Sequence, residues 1–182
     1  MIWFTADPEF DHGNIIRILN RPFNSLKHMN DEMINRWNSV VGETDTVYIL
    51  GDFAYKNELA FAKQLKGEKY LIPGNHDKLR KPQKIGDLIV LPPLFELRPG
   101  LLDEYGNTRT IVMCHYSMRS WNKSHYASYH LFGHHHGKLE PYGLSFDVGV
   151  DTNNFYPYSL VEVEKKMKTL KPIVDYRRNK ND

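Results

Sequence analysis

Four short segments, in order along the chain, follow apolar runs and carry side chains that ligate metals. They are Gly51-Asp52, Gly74-Asn75-His76-Asp77, the lone His115 of Cys114-His115-Tyr116, and Gly133-His134-His135-His136. A fold that uses them must bring several strand ends to one place, because carboxylate, amide and imidazole donors act together only when they converge. Runs rich in β-branched and aromatic residues at 2–6, 46–50, 70–72, 110–114 and 144–150 read as strands. Between them, Met29, Met33, Ile34, Trp37 and Val41 share one face of a helix over 29–41, and residues 59–65 suggest another. Ser159-Leu160-Val161-Glu162 fits a capping box that opens a last helix. Strands alternating with helices predict an α/β domain, and the stretch 88–112, without helical period, predicts a second half richer in strand.

At 182 residues the chain supports one buried core, read as a single domain over 1–171 followed by a polar C-terminal tail over 172–182. A formal net charge of +2 lacks the basic excess of a dedicated nucleic-acid binder. The single cysteine, Cys114, excludes an intramolecular disulfide framework and fits a reducing compartment. Its place in Ile111-Val112-Met113-Cys114 reads as a buried structural thiol rather than a nucleophile. The opening Met1-Ile2-Trp3-Phe4 has no basic region before it and reads as a first strand, not a signal peptide. No run approaches the roughly 20 apolar residues of a membrane span. A cytoplasmic protein without membrane association is the expectation.

With Asp7 added, the set resembles the calcineurin-like metallophosphoesterases, in particular their small single-domain branch. The family pattern reads D-x-H, G-D, G-N-H-D/E, H, G-H-x-H, and this chain departs from it only in the first element, where Asp7-Pro8-Glu9 stands. The resemblance covers nearly the whole chain. It implies a four-layer α/β sandwich, two mixed β-sheets flanked by α-helices. It also implies a binuclear metal centre: Asp52 bridging two ions, Asp7 and His136 with Glu9 completing one site, and Asn75, His115 and His134 the other. His76 would stabilise the transition state or protonate the leaving oxygen, and Asp77 would orient its imidazole. His135, pointing the other way in an extended loop, is left out of the metal set.

The expected cofactors are two divalent metal ions, Mn²⁺ foremost, with Mg²⁺, Fe, Ni²⁺ or Zn²⁺ as alternatives. The expected activity is hydrolysis of phosphate esters, preferentially phosphodiesters of nucleotides or nucleic acid, by a hydroxide activated between the ions. The alternatives are a phosphoprotein phosphatase and a scaffold or binding protein on the same fold with weak or no catalysis. Glu9 either ligates metal, adding negative charge that favours harder ions, or turns away and leaves the first site weak. Phe10-Asp11-His12-Gly13-Asn14-Ile15-Ile16 resembles a Phe-Gly-His-x-Asn-Ile run of that small branch. His12 and Asn14 are therefore candidates for substrate phosphate contact, or else caps of the following helix. Lys78, Arg80, Lys81 and Lys84 either steer an anionic substrate or form a solvated face, and the basic residues from Lys165 to Lys180 are open to the same two readings.

Overall fold

The computed structural model describes residues 1–79, 81–103 and 106–173. Among them ten strands form two mixed sheets. The first sheet contains β1 (Ile2–Thr5), β2 (Thr46–Ile49), β3 (Glu68–Leu71), β4 (Gln83–Ile85), β5 (Leu88–Val90) and β10 (Tyr158–Ser159). Its order is β10-β1-β2-β3-β5-β4, parallel from β1 to β5 with an antiparallel strand at each edge. The second sheet contains β6 (Leu94–Leu97), β7 (Ile111–Cys114), β8 (Tyr129–Phe132) and β9 (Ser145–Asp147), in that order, with β7 to β9 parallel. Four α-helices accompany them: α1 (Gly13–Ile18), α2 (Leu26–Val40), α3 (Glu58–Gln64) and α4 (Leu160–Met167).

Strand alternation sorts the core into two clusters. Trp3, Val47, Ile49 and Leu71 face α2 and α3, meeting Met29, Met33, Trp37 and Phe61. Phe4, Tyr48, Leu50 and Ile72 face the other way and pack against Ile111, Met113, Leu131 and Phe146 of the second sheet. Helix α4 begins with the expected capping box, Ser159 with Glu162, and buries Val163 and Met167 in this intersheet cluster. Its amphipathic face and its cap agree, so both ends of the inference from sequence meet in one element.

The expected four-layer α/β sandwich is not what the chain forms. It is two stacked mixed sheets with few helices. Helices α1 to α3 cover the outer side of the first sheet, but a loop takes the place of helices on the second. Val112 and His130, alternating with the intersheet residues of β7 and β8, are buried beneath residues 116–128, where Trp121 lies with its ring 5.2 Å from His130. That segment holds only a short 3₁₀ turn, Ser124–Tyr126. Strand β8 itself has no signature in an alternation of apolar and polar residues, since His130 is as buried as its neighbours. Cys114 at the end of β7 is half-buried rather than fully enclosed. Lys78, Lys81 and Lys84 are exposed around the β4 edge, while Arg80 and residues 174–182 of the expected tail lie outside the described residues. Among the described residues no helix is long and apolar enough to cross a membrane.

His130 is satisfied as a neutral ring: Nδ1–H donates to the Val112 carbonyl at 3.0 Å and Nε2 accepts from the Met118 N–H at 3.1 Å. Burial pushes its pKa from 6.5 down to about 4. The unfolded chain takes up the proton first, so the stability this ring provides is complete above pH 6.5 and lost as pH falls toward 4. Replacing it by leucine leaves two buried backbone groups unpaired. His130→Leu is expected to lower stability at neutral pH by about 1–3 kcal/mol. It should also make the decline in stability on acidification shallower, as read by urea unfolding across that pH range. Parallel declines in both proteins would contradict the assignment.

Candidate metal centre

Parallel pairing sets the geometry. Thr5 pairs with Ile49 and Ile49 with Leu71, so the segments that leave β1, β2 and β3 start side by side. They carry Asp7, Asp52 and Asn75. From the second sheet, His115 follows β7 and His134 follows β8. An isolated parallel bridge between Ala6 and Gly149 joins the two sheets at this edge. The candidate site therefore lies outside the carboxyl ends of the parallel strands, where α/β sheets place their ligands.

Asp7, Asp52, Asn75, His115 and His134 meet there, while the His136 ring is bonded to Asp151 and the Glu9 carboxylate to His12 and His76. Ligand atoms of Asp52, His115 and His134 all lie within 4.8 Å of one another. Asp52 Oδ2 is 3.4 Å from His115 Nε2 and 3.4 Å from His76 Nδ1, while its Oδ1 accepts the His76 backbone N–H at 2.8 Å. Asn75 Oδ1 is 3.0 Å from His115 Nε2. The other nitrogen of that ring, Nδ1, donates to the Leu50 carbonyl at 2.8 Å, which orients Nε2 toward the cluster. Asp7 Oδ2 accepts the His134 backbone N–H at 2.8 Å. His135, as expected, turns elsewhere, with Nε2 at 3.2 Å from the Ser117 hydroxyl.

Close approach explains two of the glycines. A Cβ on Gly74 would stand 2.3 Å from Asp52 Oδ1, and one on Gly133 would stand 2.5 Å from Asp7 Oδ2. The backbone is also under constraint at the candidate ligands. Asp7, Glu9, Asp52, His134 and His136 all have positive φ, between 50° and 69°. Side-chain-bearing residues rarely adopt this left-handed region, and clusters of them accompany functional sites.

The electrostatics couple buried carboxyls to the imidazoles around them. Burial pushes the Asp7 carboxyl up to about 8, against the lowering pull of His115 and His136. Its Oδ1 is buried without a hydrogen-bond partner. Burial works against a charged His115, yet the bond to Asp52, the charges of Asp7 and Asp52 and the Leu50 carbonyl outweigh it and push the ring up to about 9. Burial also raises Asp52, but the same His115 bond and the His115 and His76 charges prevail and hold it below the usual carboxylate range. Carboxylate, amide and imidazole donors converging beside an orphaned carboxylate oxygen fit a divalent cation.

Three residues not singled out in the sequence complete the surroundings. Arg21 is buried between α1 and α2, and its guanidinium donates to the carbonyls of Asp7 and Pro8 and pairs twice with Asp151, at 2.8 Å each. Asp151 Oδ2 in turn takes the Nδ1–H of His136 at 2.9 Å. Burial disfavours a charged His136, but Asp151 outweighs it and raises the ring. Asp147, raised by burial, accepts the Gly137 and Gly149 amides and shapes the turn around His136. Asp151 had a legible signal, since it ends the apolar run 144–150 as the other candidates end theirs. Arg21 had none.

Two further candidates have partners that the sequence did not announce. The Asp77 carboxylate accepts the backbone N–H groups of Asp52, Phe53 and Gly74 at 2.7–3.0 Å, stapling the β2 and β3 exits together. Glu9 is buried with both oxygens engaged, Oε1 at 2.8 Å from His76 Nδ1 and Oε2 at 2.9 Å from His12 Nδ1, rather than directed at Asp7 and His136. His12 stands at the start of α1 without capping it through its side chain, and it stacks on Tyr55 with centroids 4.8 Å apart. Asn14 is exposed on α1.

No protein-family model matches the chain. It is 31% identical to the uncharacterized protein MJ1445 of Methanocaldococcus jannaschii, over 96% of this chain and 97% of that one. At that identity and coverage the chain belongs to the family of MJ1445. The Gene 66 protein of Mycobacterium phage L5 is 36% identical over 81 residues, 41% of this chain and 39% of the phage protein. Among solved structures, that of AQ665 from Aquifex aeolicus, a protein of unknown function, superposes with a TM-score of 0.67 at 22% identity, covering 91% of this chain and 98% of that one. The likeness to AQ665 is one of fold.

If the orphaned Asp7 oxygen awaits a cation, a neutral amide there should spare the metal-free protein the cost of holding that carboxyl protonated above pH 3.8, and penalise the loaded one. Asp7→Asn keeps an oxygen for the His134 amide. The metal-free variant is expected to melt several degrees above the metal-free parent. The stabilisation that saturating Mn²⁺ gives the parent should shrink by roughly 2 kcal/mol or more. Calorimetric melts of both proteins, with and without Mn²⁺, measure the two effects. A metal-free variant that melts lower than its parent would refute the argument.

Proposed function

We propose that the protein is a metal-dependent phosphoesterase of the calcineurin-like type, hydrolysing phosphate esters and preferring phosphodiesters of nucleotides or nucleic acid. The observation that carries this reading is the placement of Asp52: one carboxylate within 3.4 Å of both His115 and His76, between a cluster of candidate ligands and an exposed imidazole. Asp52, Asn75, His115 and His134 would hold one divalent ion, and Asp7 and His136, sharing Asp52, the other. Bound there, the ions would lower the pKa of water and draw charge from a phosphoryl group.

The chain's own residues supply the rest. Leu50 fixes the ring of His115 from behind, so it presents Nε2 to the centre, and Asp151 holds the ring of His136 by its Nδ1 and leaves Nε2 free to ligate. The His76 side chain is 42% exposed, which leaves its Nε2 within reach of a substrate's leaving oxygen. With Glu9 turned to the imidazoles, the preference for Mn²⁺ rests on the oxygens of Asp7, Asp52 and Asn75.

Metal-stripped protein reloaded separately with Mn²⁺, Mg²⁺, Fe²⁺, Ni²⁺ or Zn²⁺, then assayed on bis-p-nitrophenyl phosphate, p-nitrophenyl phosphate and a nucleotide panel, tests the reading. Turnover of the diester in the Mn²⁺ form is expected, and no turnover in any form would sink it. Two variants divide the labour. Asn75→Ala should lose metal, and excess Mn²⁺ should restore part of the rate. His76→Ala should keep its metal and lose about 10²–10⁴-fold in kcat. Equal metal loss in both would overturn the division.

A further inference from the structure

Glu9 occupies the position at which the D-x-H pattern has a histidine, yet its carboxylate is spent on two imidazoles. It is 1% exposed, and both oxygens are within hydrogen-bond distance of a ring nitrogen: Oε1 with His76 Nδ1 at 2.8 Å, Oε2 with His12 Nδ1 at 2.9 Å. A carboxylate accepts only, so each Nδ1 must carry the proton. Each ring therefore presents Nε2 on its far side. Further contacts define the two rings' positions. His12 stacks on Tyr55 with an interplanar angle of 12°, the two imidazoles meet edge to face at 5.9 Å, and the His76 backbone is tied to Asp52 Oδ1. The backbone holds Glu9 itself in place: its N–H donates to the Asp52 carbonyl at 3.0 Å, and its φ is 55°.

Glu9, His12 and His76 also have the composition of a cation site. A cation seated among them would have to displace both Nδ1–H···O bonds, and the buried carboxylate has both of its oxygens satisfied as it stands. The imidazoles have the simpler claim on it.

We propose that Glu9 is a positioning residue and not a metal ligand: it holds His12 and His76 in the Nδ1–H form as a paired imidazole wall, with both Nε2 atoms facing the ester substrate beside the metal centre. The proposal rests on the phosphoesterase reading for what the wall does. Oxygen from water bonds to phosphorus as the P–O bond to the leaving group breaks, and His76, protonated at both nitrogens, gives its Nε2 proton to the leaving oxygen. That oxygen keeps the bonding electron pair, and the ring returns to the neutral Nδ1–H form that Glu9 holds. The water consumed gives up its proton to solvent, from which the ring is recharged. His12 binds a phosphoryl oxygen through the same atom when its Nε2 is protonated.

Glu9→Gln distinguishes the roles, because an amide has one accepting oxygen and one donating nitrogen. One of the two histidines must then accept on Nδ1 and move its proton to Nε2. In the Zn²⁺-loaded full-length protein, imidazole ¹⁵N spectra should show Nδ1–H for both rings in the parent. In the variant exactly one of the two rings should invert, and elemental analysis should find unchanged metal content. In the Mn²⁺ form, inversion of His76 should lower kcat about 10²-fold with KM changed much less and without adding to the loss in His76→Ala, whereas inversion of His12 should raise KM and leave kcat nearly unchanged. Unchanged tautomers in the variant, or loss of one equivalent of metal, would overturn the positioning role. Inverted tautomers in a protein that turns over no ester would leave that role standing and sink the phosphoesterase reading instead.

Discussion

The Asp7 carboxylate sits at the seam of the two sheets, and the geometry of the candidate centre follows from its burial there. Its backbone N–H donates to Gly51 beyond β2, its carbonyl accepts from Arg21, and its carboxylate accepts the amide of His134 beyond β8. Three segments distant in sequence are thus referred to one residue. Gly133 lacks a Cβ because Asp7 Oδ2 occupies that space, and the Ala6–Gly149 bridge closes the seam from the other side. A carboxyl in such a place cannot be hydrated, so it keeps its proton up to about pH 8 unless donors or a cation favour the anion.

The same accounting runs through the neighbouring anions, each compensated by a different device. Asp77 takes three backbone amides and Asp147 takes two. Asp151 has the Arg21 guanidinium and the His136 ring. Glu9 has two imidazoles. Asp7 keeps one oxygen without a hydrogen bond, and the nearest cationic group to it is the His115 ring, with Nδ1 at 3.9 Å. The left-handed backbone at five candidate residues is tolerable because the strands behind them are locked in register on well-packed faces.

Much of this was legible in the chain. The strands around 2–6, 46–50 and 110–114, the helix over 29–41 and the capping box at Ser159 were visible because local propensity and burial agree there. The convergence of Asp7, Asp52, Asn75, His115 and His134 was legible too, since a polar side chain directly after a buried parallel strand has one edge to occupy. Other features were hidden by the absence of a local signal. His130 reads as polar in a strand, and only the loop that folds over it makes it a core residue. A loop with Trp121 substitutes for a helical layer through contacts that no periodicity records.

What the sequence by itself determined is the inventory and its order: which donors exist, and that each follows a strand-forming run. Those are consequences of residue type and short-range spacing. Tertiary structure decided the partners. Whether Glu9 would meet a cation or two imidazoles depends on His12 and His76, 3 and 67 residues away, arriving at its two oxygens. That Asp77 gathers three backbone amides depends on how closely the exits of β2 and β3 approach. Arg21 acquires its role only where Asp7, Pro8 and Asp151 surround it. Hydrogen bonds and charges act over a few ångströms in space, and the chain encodes such distances only through the whole fold.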